Sequence, residues 1–138
     1  VLYSSGTTGL PKPIVHGHGG ILLEHLKTIA LHQNLREGDR LFWISSTGWV
    51  VWNLLASALL HGGSIVCFDG NPAWPDAGAI WRHVAETRAQ HFGCGAALFA
   101  AAVKAGIEPG KVADLSALEA ISSTGSPLTA DAFQWAYE

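Results

Sequence analysis

Short apolar runs alternate with longer apolar stripes along most of the chain, and the two periods predict strands and helices in turn. Leu41–Ser45 is a five-residue run rich in aromatic and branched side chains and predicts a strand. Trp49–Leu60 is apolar on nearly every face and predicts a buried helix. His61-Gly62-Gly63 ends it, with a glycine suited to a left-handed cap. Ser64–Phe68 predicts the next strand, and Asp69-Gly70-Asn71-Pro72 a turn. A helix capped by Asp76 follows Pro75, runs to Ala89, and carries Ile80, Trp81, Val84 and Ala85 on one face. Arg82 and Glu86 are spaced to pair on its other face. His91–Gly95 predicts a short strand, Ala96–Ala105 a small helix closed by Gly106, and Leu118–Ser122 another strand. Thr129 is placed to cap a last helix carrying Phe133, Trp135 and Tyr137. Near the front, Gly20–Leu35 predicts a helix whose apolar stripe is Leu22, Leu23, Leu26, Ile29 and Ala30.

Strands that alternate with helices imply an α/β fold, a mostly parallel sheet with helices on both faces. Ligands of such folds bind beyond the carboxyl ends of the strands. Small polar runs follow or close the predicted strands: Ser45-Ser46-Thr47-Gly48, Asp69-Gly70-Asn71, Gly93-Cys94-Gly95 and Ser122-Ser123-Thr124-Gly125-Ser126. These four are expected to line one edge. No internal repeat or low-complexity tract interrupts the pattern.

Composition changes this picture in three ways. The 138 residues suffice for about one domain. At 49% apolar and 14% charged, the chain is poorer in charge than the roughly 25% of ordinary domains, which excludes intrinsic disorder and coiled coil. It also points to surface meant to be covered, and hence to self-association through exposed apolar faces. A net charge of −3 leaves no electrostatic footprint for nucleic acid. Positions 41–68 contain no Asp, Glu, Lys or Arg, but the Ser45–Gly48 cluster and Asn53 break the stretch as a loop would, so no membrane span is expected. The two cysteines, Cys67 and Cys94, fit a reducing compartment, and a cytoplasmic location is expected. The chain opens on Val1 and contains no Met, and it reads as an internal segment of a larger protein.

The strongest local motif is Tyr3-Ser4-Ser5-Gly6-Thr7-Thr8-Gly9-Leu10-Pro11-Lys12. Its glycines let the backbone approach a ligand, its hydroxyls and amides offer donors to phosphate oxygens, and Lys12 adds a mobile cation. It is not a Walker A loop. By composition alone it is either such a cradle or a flexible linker. Thr124-Gly125-Ser126-Pro127 is either a ligand-binding turn or a plain strand-to-helix connection. Trp49, Val50 and Val51 either border a pocket or belong to the core, and Trp52 and Leu54 read as core. His16 and His18, with one glycine between them and no third ligand in range, make a weak metal site, and none is expected. His25 and His32 read as surface or core-edge positions, and Cys94 as a small buried hydrophobe.

The run Ser4–Lys12 resembles the signature phosphate loop of the adenylate-forming superfamily, which includes acyl-CoA synthetases, luciferases and peptide-synthetase adenylation domains. The resemblance implies that Ser5, Gly6, Thr7, Thr8, Gly9 and Lys12 cradle the ATP phosphates. Thr124-Gly125-Ser126-Pro127 is similar to that family's adenine-binding turn, which often reads Gly-Glu-Pro. Gly125, Ser126 and Pro127 would then meet adenine, with Ser126 departing from the glutamate. Thr47-Gly48-Trp49-Val50-Val51-Trp52-Asn53 resembles the Gly-Trp helix start that borders the acyl pocket of short-chain members. That places Trp49, Val50, Val51 and Thr124 near the acyl group, with Ser46, Thr47 or Asn53 as donors to a ketone oxygen. The runs His16–His25, Thr47–Asn53 and Asp69–Pro72 are most similar to the acetoacetyl-CoA synthetases.

The resemblance implies an acid–thiol ligase that activates a short carboxylic acid, here acetoacetate, with ATP and transfers the acyl group to CoA. Acetyl- or propionyl-CoA synthetases, other adenylate-forming enzymes and a non-catalytic nucleotide-binding module are the alternatives. Residues 1–138 would be one segment of the family's large N-terminal AMP-binding domain, from phosphate loop to adenine turn, without the small C-terminal domain. The family's Gly-x-Thr-Glu run, whose glutamate holds Mg²⁺, does not occur in these residues. The Mg²⁺ ligand is therefore expected outside the segment, and the segment alone is expected to be inactive.

Overall fold

The computed structural model describes residues 1–4 and 9–138. Strands β1 (Leu2–Ser4) and β2 (Lys12–Ile14) pair antiparallel as a hairpin that sets Ser4 opposite Lys12. Helix α1 (His18–Lys27) runs straight into a π-helical turn, Thr28–His32. There follow β3 (Arg40–Trp43), α2 (Val50–Ser57) with a 3₁₀ turn at Ala58–His61, and β4 (Ser64–Val66). The second half is α3 (Ala79–Thr87), β5 (His91–Gly95), α4 (Ala96–Lys104), α5 (Pro109–Val112), β6 (Ala120–Thr124) and α6 (Ala130–Trp135).

β3 to β6 form one sheet in the order β4-β3-β5-β6, and every neighbouring pair is parallel. All four strands therefore end at the same edge. Alternation along β3 splits the interior in two. Phe42 faces a cluster with Ile80, Trp81, Val84, Phe92, Cys94 and Phe99, covered by α3, α4 and α6. Leu41 and Trp43 face another with Ile29, Leu35, Val51, Leu55 and Ala58, covered by the π turn and α2. Helices thus cover both faces, as the alternation predicts. Trp81 anchors the first cluster, with its ring centroid 5.3 Å from Phe92 and 5.7 Å from Trp135. Trp135 Nε1 donates to the Ile107 carbonyl at 2.8 Å, so α6 is held by a polar contact as well as by packing.

Gly62 ends the 3₁₀ turn at φ 75°, and Thr129 Oγ1 accepts from Ala132 N–H at the start of α6, both as predicted. The front helix differs. It begins at His18, and of its expected stripe only Ile29 is fully buried, while Leu22, Leu23 and Leu26 are exposed. The reason is the π turn. Gln33 N–H donates to Thr28 O and Leu35 N–H to Ile29 O, so the wider turn moves the following side chains off the line of α1. Helix α3 begins at Ala79 rather than after Pro75. Asp76 takes the Gly78 N–H at 2.8 Å and grips Arg82 through both carboxylate oxygens at 2.8 Å. Arg82 is thereby drawn away from Glu86, which lies 3.4 Å from His83. Gly93-Cys94-Gly95 is no loop but the last three residues of β5, and Ser122–Thr124 likewise close β6.

Candidate functional site at the carboxyl edge of the sheet

The loops that follow β3 and β6 leave the sheet at neighbouring corners. Ile44 N–H donates to Gly93 O at 2.9 Å and extends the β3–β5 pairing by one residue. The chain then turns, with Trp49 N–H donating to Ser46 O at 3.1 Å. Trp49 is the residue before α2 and is extended, at φ −102° and ψ 146°. Its half-buried ring reaches across to the loop after β6. A Cβ on Gly125 would lie 3.6 Å from both Cη2 and Cζ2 of that indole. Gly125 has φ 92°, which an L side chain rarely adopts, so glycine serves both the turn and the contact.

The structure therefore brings two of the predicted motifs together. Trp49 and Gly125 touch, and half-buried Thr124 precedes Gly125 in β6. Ser126 and Pro127 are exposed beside them, as are Ser46 and Thr47, and Asn53 is half-buried on α2. The two valines part company. Val50 is 54% exposed, whereas Val51 is buried among Leu41, Trp43 and Leu55 in the core. Gly9 and Lys12 are exposed and belong to the hairpin, not to the four-stranded sheet. Ser5, Gly6, Thr7 and Thr8 lie outside the described residues.

Cys94, one residue before the end of β5, is buried, and burial pushes its thiol up to about 12. It stays protonated and acts as a small hydrophobe, not a nucleophile. Ser122 Oγ donates to Gln33 Oε1 at 3.2 Å, a contact between positions 89 apart that no local pattern announces. On the opposite face, a cavity of about 880 Å³ lies between β6 and α6, lined by Trp81, Phe99, Ile121, Phe133 and Trp135. It is apolar and faces away from Trp49, so it is a packing groove rather than part of the candidate site.

A parallel α/β sheet with glycine-rich and hydroxyl-rich turns at one edge defines a nucleotide-binding type of protein. The chain belongs to the AMP-binding enzyme family, whose pattern matches residues 1–138. It is 45% identical over 138 residues to the acetoacetyl-coenzyme A synthetase of Rhizobium meliloti (strain 1021), an alignment covering 100% of this chain and 21% of that protein. It is 38% identical over 138 residues to the acetoacetyl-CoA synthetase of Gallus gallus, with the same coverage of 100% and 21%. Among solved structures, acetoacetyl-CoA synthetase from Streptomyces lividans superposes with a TM-score of 0.91 at 53% identity, over 98% of this chain and 21% of that one. The chain spans about a fifth of the length of the relatives it matches.

Proposed function

We propose that the protein containing this chain is an acid–thiol ligase that activates acetoacetate with ATP and passes the acyl group to coenzyme A. The observation that carries the reading is similarity along the whole chain to proteins named acetoacetyl-CoA synthetase. The geometry supports it, because Trp49 meets Gly125 at the edge where such folds bind ligands. In this reading the substrate carboxylate attacks the α-phosphorus of ATP, and pyrophosphate leaves. The CoA thiolate then attacks the acyl carbon, and AMP leaves.

Ser5, Gly6, Thr7, Thr8, Gly9 and Lys12 would hold the phosphates, supplying donors and one cation to charge that spreads over phosphate oxygens. Gly125, Ser126 and Pro127 would border adenine, chiefly through backbone, since Ser126 is short and exposed. The Trp49 indole, with Val50 and Thr124, would wall the acyl group and limit its length. An apolar wall of this kind discriminates by about 1–3 kcal/mol per methylene. Val51, lying in the core, would act from behind that wall. Mg²⁺ would shield the phosphates. Among the described residues no three His, Cys, Asp or Glu side chains gather, so none is assigned to the ion. The proposal includes a cytoplasmic location, in keeping with two free cysteines.

The test is product formation by the full-length protein with ATP, CoA and a panel of acetoacetate, acetate, propionate and butyrate. Acetoacetyl-CoA and AMP as the dominant products support the reading. A preference for acetate or propionate keeps the chemistry and overturns the substrate. ATP binding with no thioester from any acid favours a non-catalytic nucleotide-binding module.

A further inference from the structure

Three departures from regular structure converge on one side-chain contact. The first is the π turn after α1, in which Gln33 N–H donates to Thr28 O at 2.9 Å. The second is Asn34, whose φ of 51° is left-handed. The third is Gly93. Trp43, Gly93 and Ser122 are in register across β3, β5 and β6 and so project from one face of the sheet. A Cβ on Gly93 would stand 2.3 Å from the Trp43 ring, so the indole lies flat where a side chain would be. The π turn and the left-handed residue set Gln33 over the same face, where its Oε1 accepts from Ser122 Oγ at 3.2 Å. π turns and left-handed non-glycine residues carry a conformational cost and persist where surrounding contacts require them.

The place of this contact in the chain indicates its role. Gln33 closes the helical segment that starts at His18, shortly after the hairpin strand bearing Lys12. Ser122 stands in β6, which ends at Thr124 beside Gly125. The bond thus joins the helix that follows the phosphate-loop hairpin to the strand that leads into the adenine turn. We propose that Gln33 is a positioning residue for ATP, acting through Ser122 to fix the triphosphate end of the nucleotide site relative to its adenine end. This rests on the reading of that edge as an ATP site.

The experiment uses the full-length protein and four variants: Gln33→Leu, Ser122→Ala, their double mutant, and Ser122→Thr, which keeps the hydroxyl. Gln33→Leu is expected to raise the KM for ATP about fivefold, the order of one net hydrogen bond, while kcat and the KM for the acid change less than about twofold. Ser122→Ala should match it, Ser122→Thr should restore the wild-type value, and the double mutant should lose no more than either single one. An unchanged KM for ATP in Gln33→Leu, or additive losses in the double mutant, overturns the proposal. Should Gln33→Leu not fold, Ser122→Ala against Ser122→Thr decides it, and equal KM values for ATP in the two overturn it. Wild-type protein that activates no acid contradicts the functional reading instead. The Kd for ATP, measured by calorimetry, then tests the positioning role alone, and a Kd unmoved by Ser122→Ala overturns it.

Discussion

Gly93 shows how much one residue decides. Its neighbours in register, Trp43 and Ser122, are large and polar respectively, and only a missing side chain lets the indole lie between them. Gly93→Ala puts a methyl group 2.3–2.6 Å from three ring atoms, so Trp43 must move. Overpacking of this kind costs about 1–3 kcal/mol, and chemical denaturation of the variant should show a loss of that size. Cys94 makes a pH-dependent prediction. Its thiol is raised from 9.0 to about 12 by burial, so the unfolded chain ionises before the folded one. Its contribution to stability is full below pH 9.0 and declines as pH rises toward 12. The denaturation midpoint should therefore fall more steeply above pH 9.0 in wild type than in Cys94→Ala. Equal slopes would contradict it. Cys94 as a buried hydrophobe was legible in the sequence, because its neighbours carry no cation. The Trp43–Gly93 and Trp49–Gly125 contacts were not, because each depends on strand order.

At the scale of elements, a prediction concerns α6. The helix is six residues long and its N-terminus relies on Thr129, whose Oγ1 accepts from Ala132 N–H at 3.3 Å. Thr129→Ala should cost about 0.5–1 kcal/mol and loosen the Trp135 contact with Trp81, which tryptophan fluorescence can follow alongside denaturation. Most elements could be read from local pattern. β5 has the predicted bounds His91–Gly95, and α4 begins at Ala96 as predicted, because apolar runs bounded by glycine leave little ambiguity. What was not legible has physical causes. The strands of the hairpin are three residues each, too short for a period to show. The π turn hides within an apolar stripe that counts as regular helix. Asp76 carries the composition of an N-cap, yet Arg82 and the Gly78 N–H recruit it to a turn before the helix. Of the candidate site, the residue types were legible, and their juxtaposition across the sheet edge was not.

At the scale of the molecule, the low charge content has a visible counterpart. Leu22, Leu23, Leu31, Leu59, Leu60, Trp74, Phe133 and Tyr137 are all exposed, and the apolar groove beside β6 is open. Exposed apolar surface on this scale favours association. Residues 1–138 produced as a separate polypeptide should therefore scatter light as oligomers at micromolar concentration. A monodisperse monomer would contradict that. No helix among the described residues is long and apolar enough to cross a membrane. The architecture places a nucleotide-type edge at one end of a parallel sheet and closes it with Trp49 against Gly125, and the central claim is that this edge serves the activation of a short acid by ATP. The most direct test is ATP–pyrophosphate exchange by the full-length protein, since exchange requires the adenylation half-reaction alone. The account predicts strong exchange with acetoacetate and weaker exchange with acetate, propionate and butyrate. No exchange with any of these acids, in protein shown to bind ATP, would contradict it.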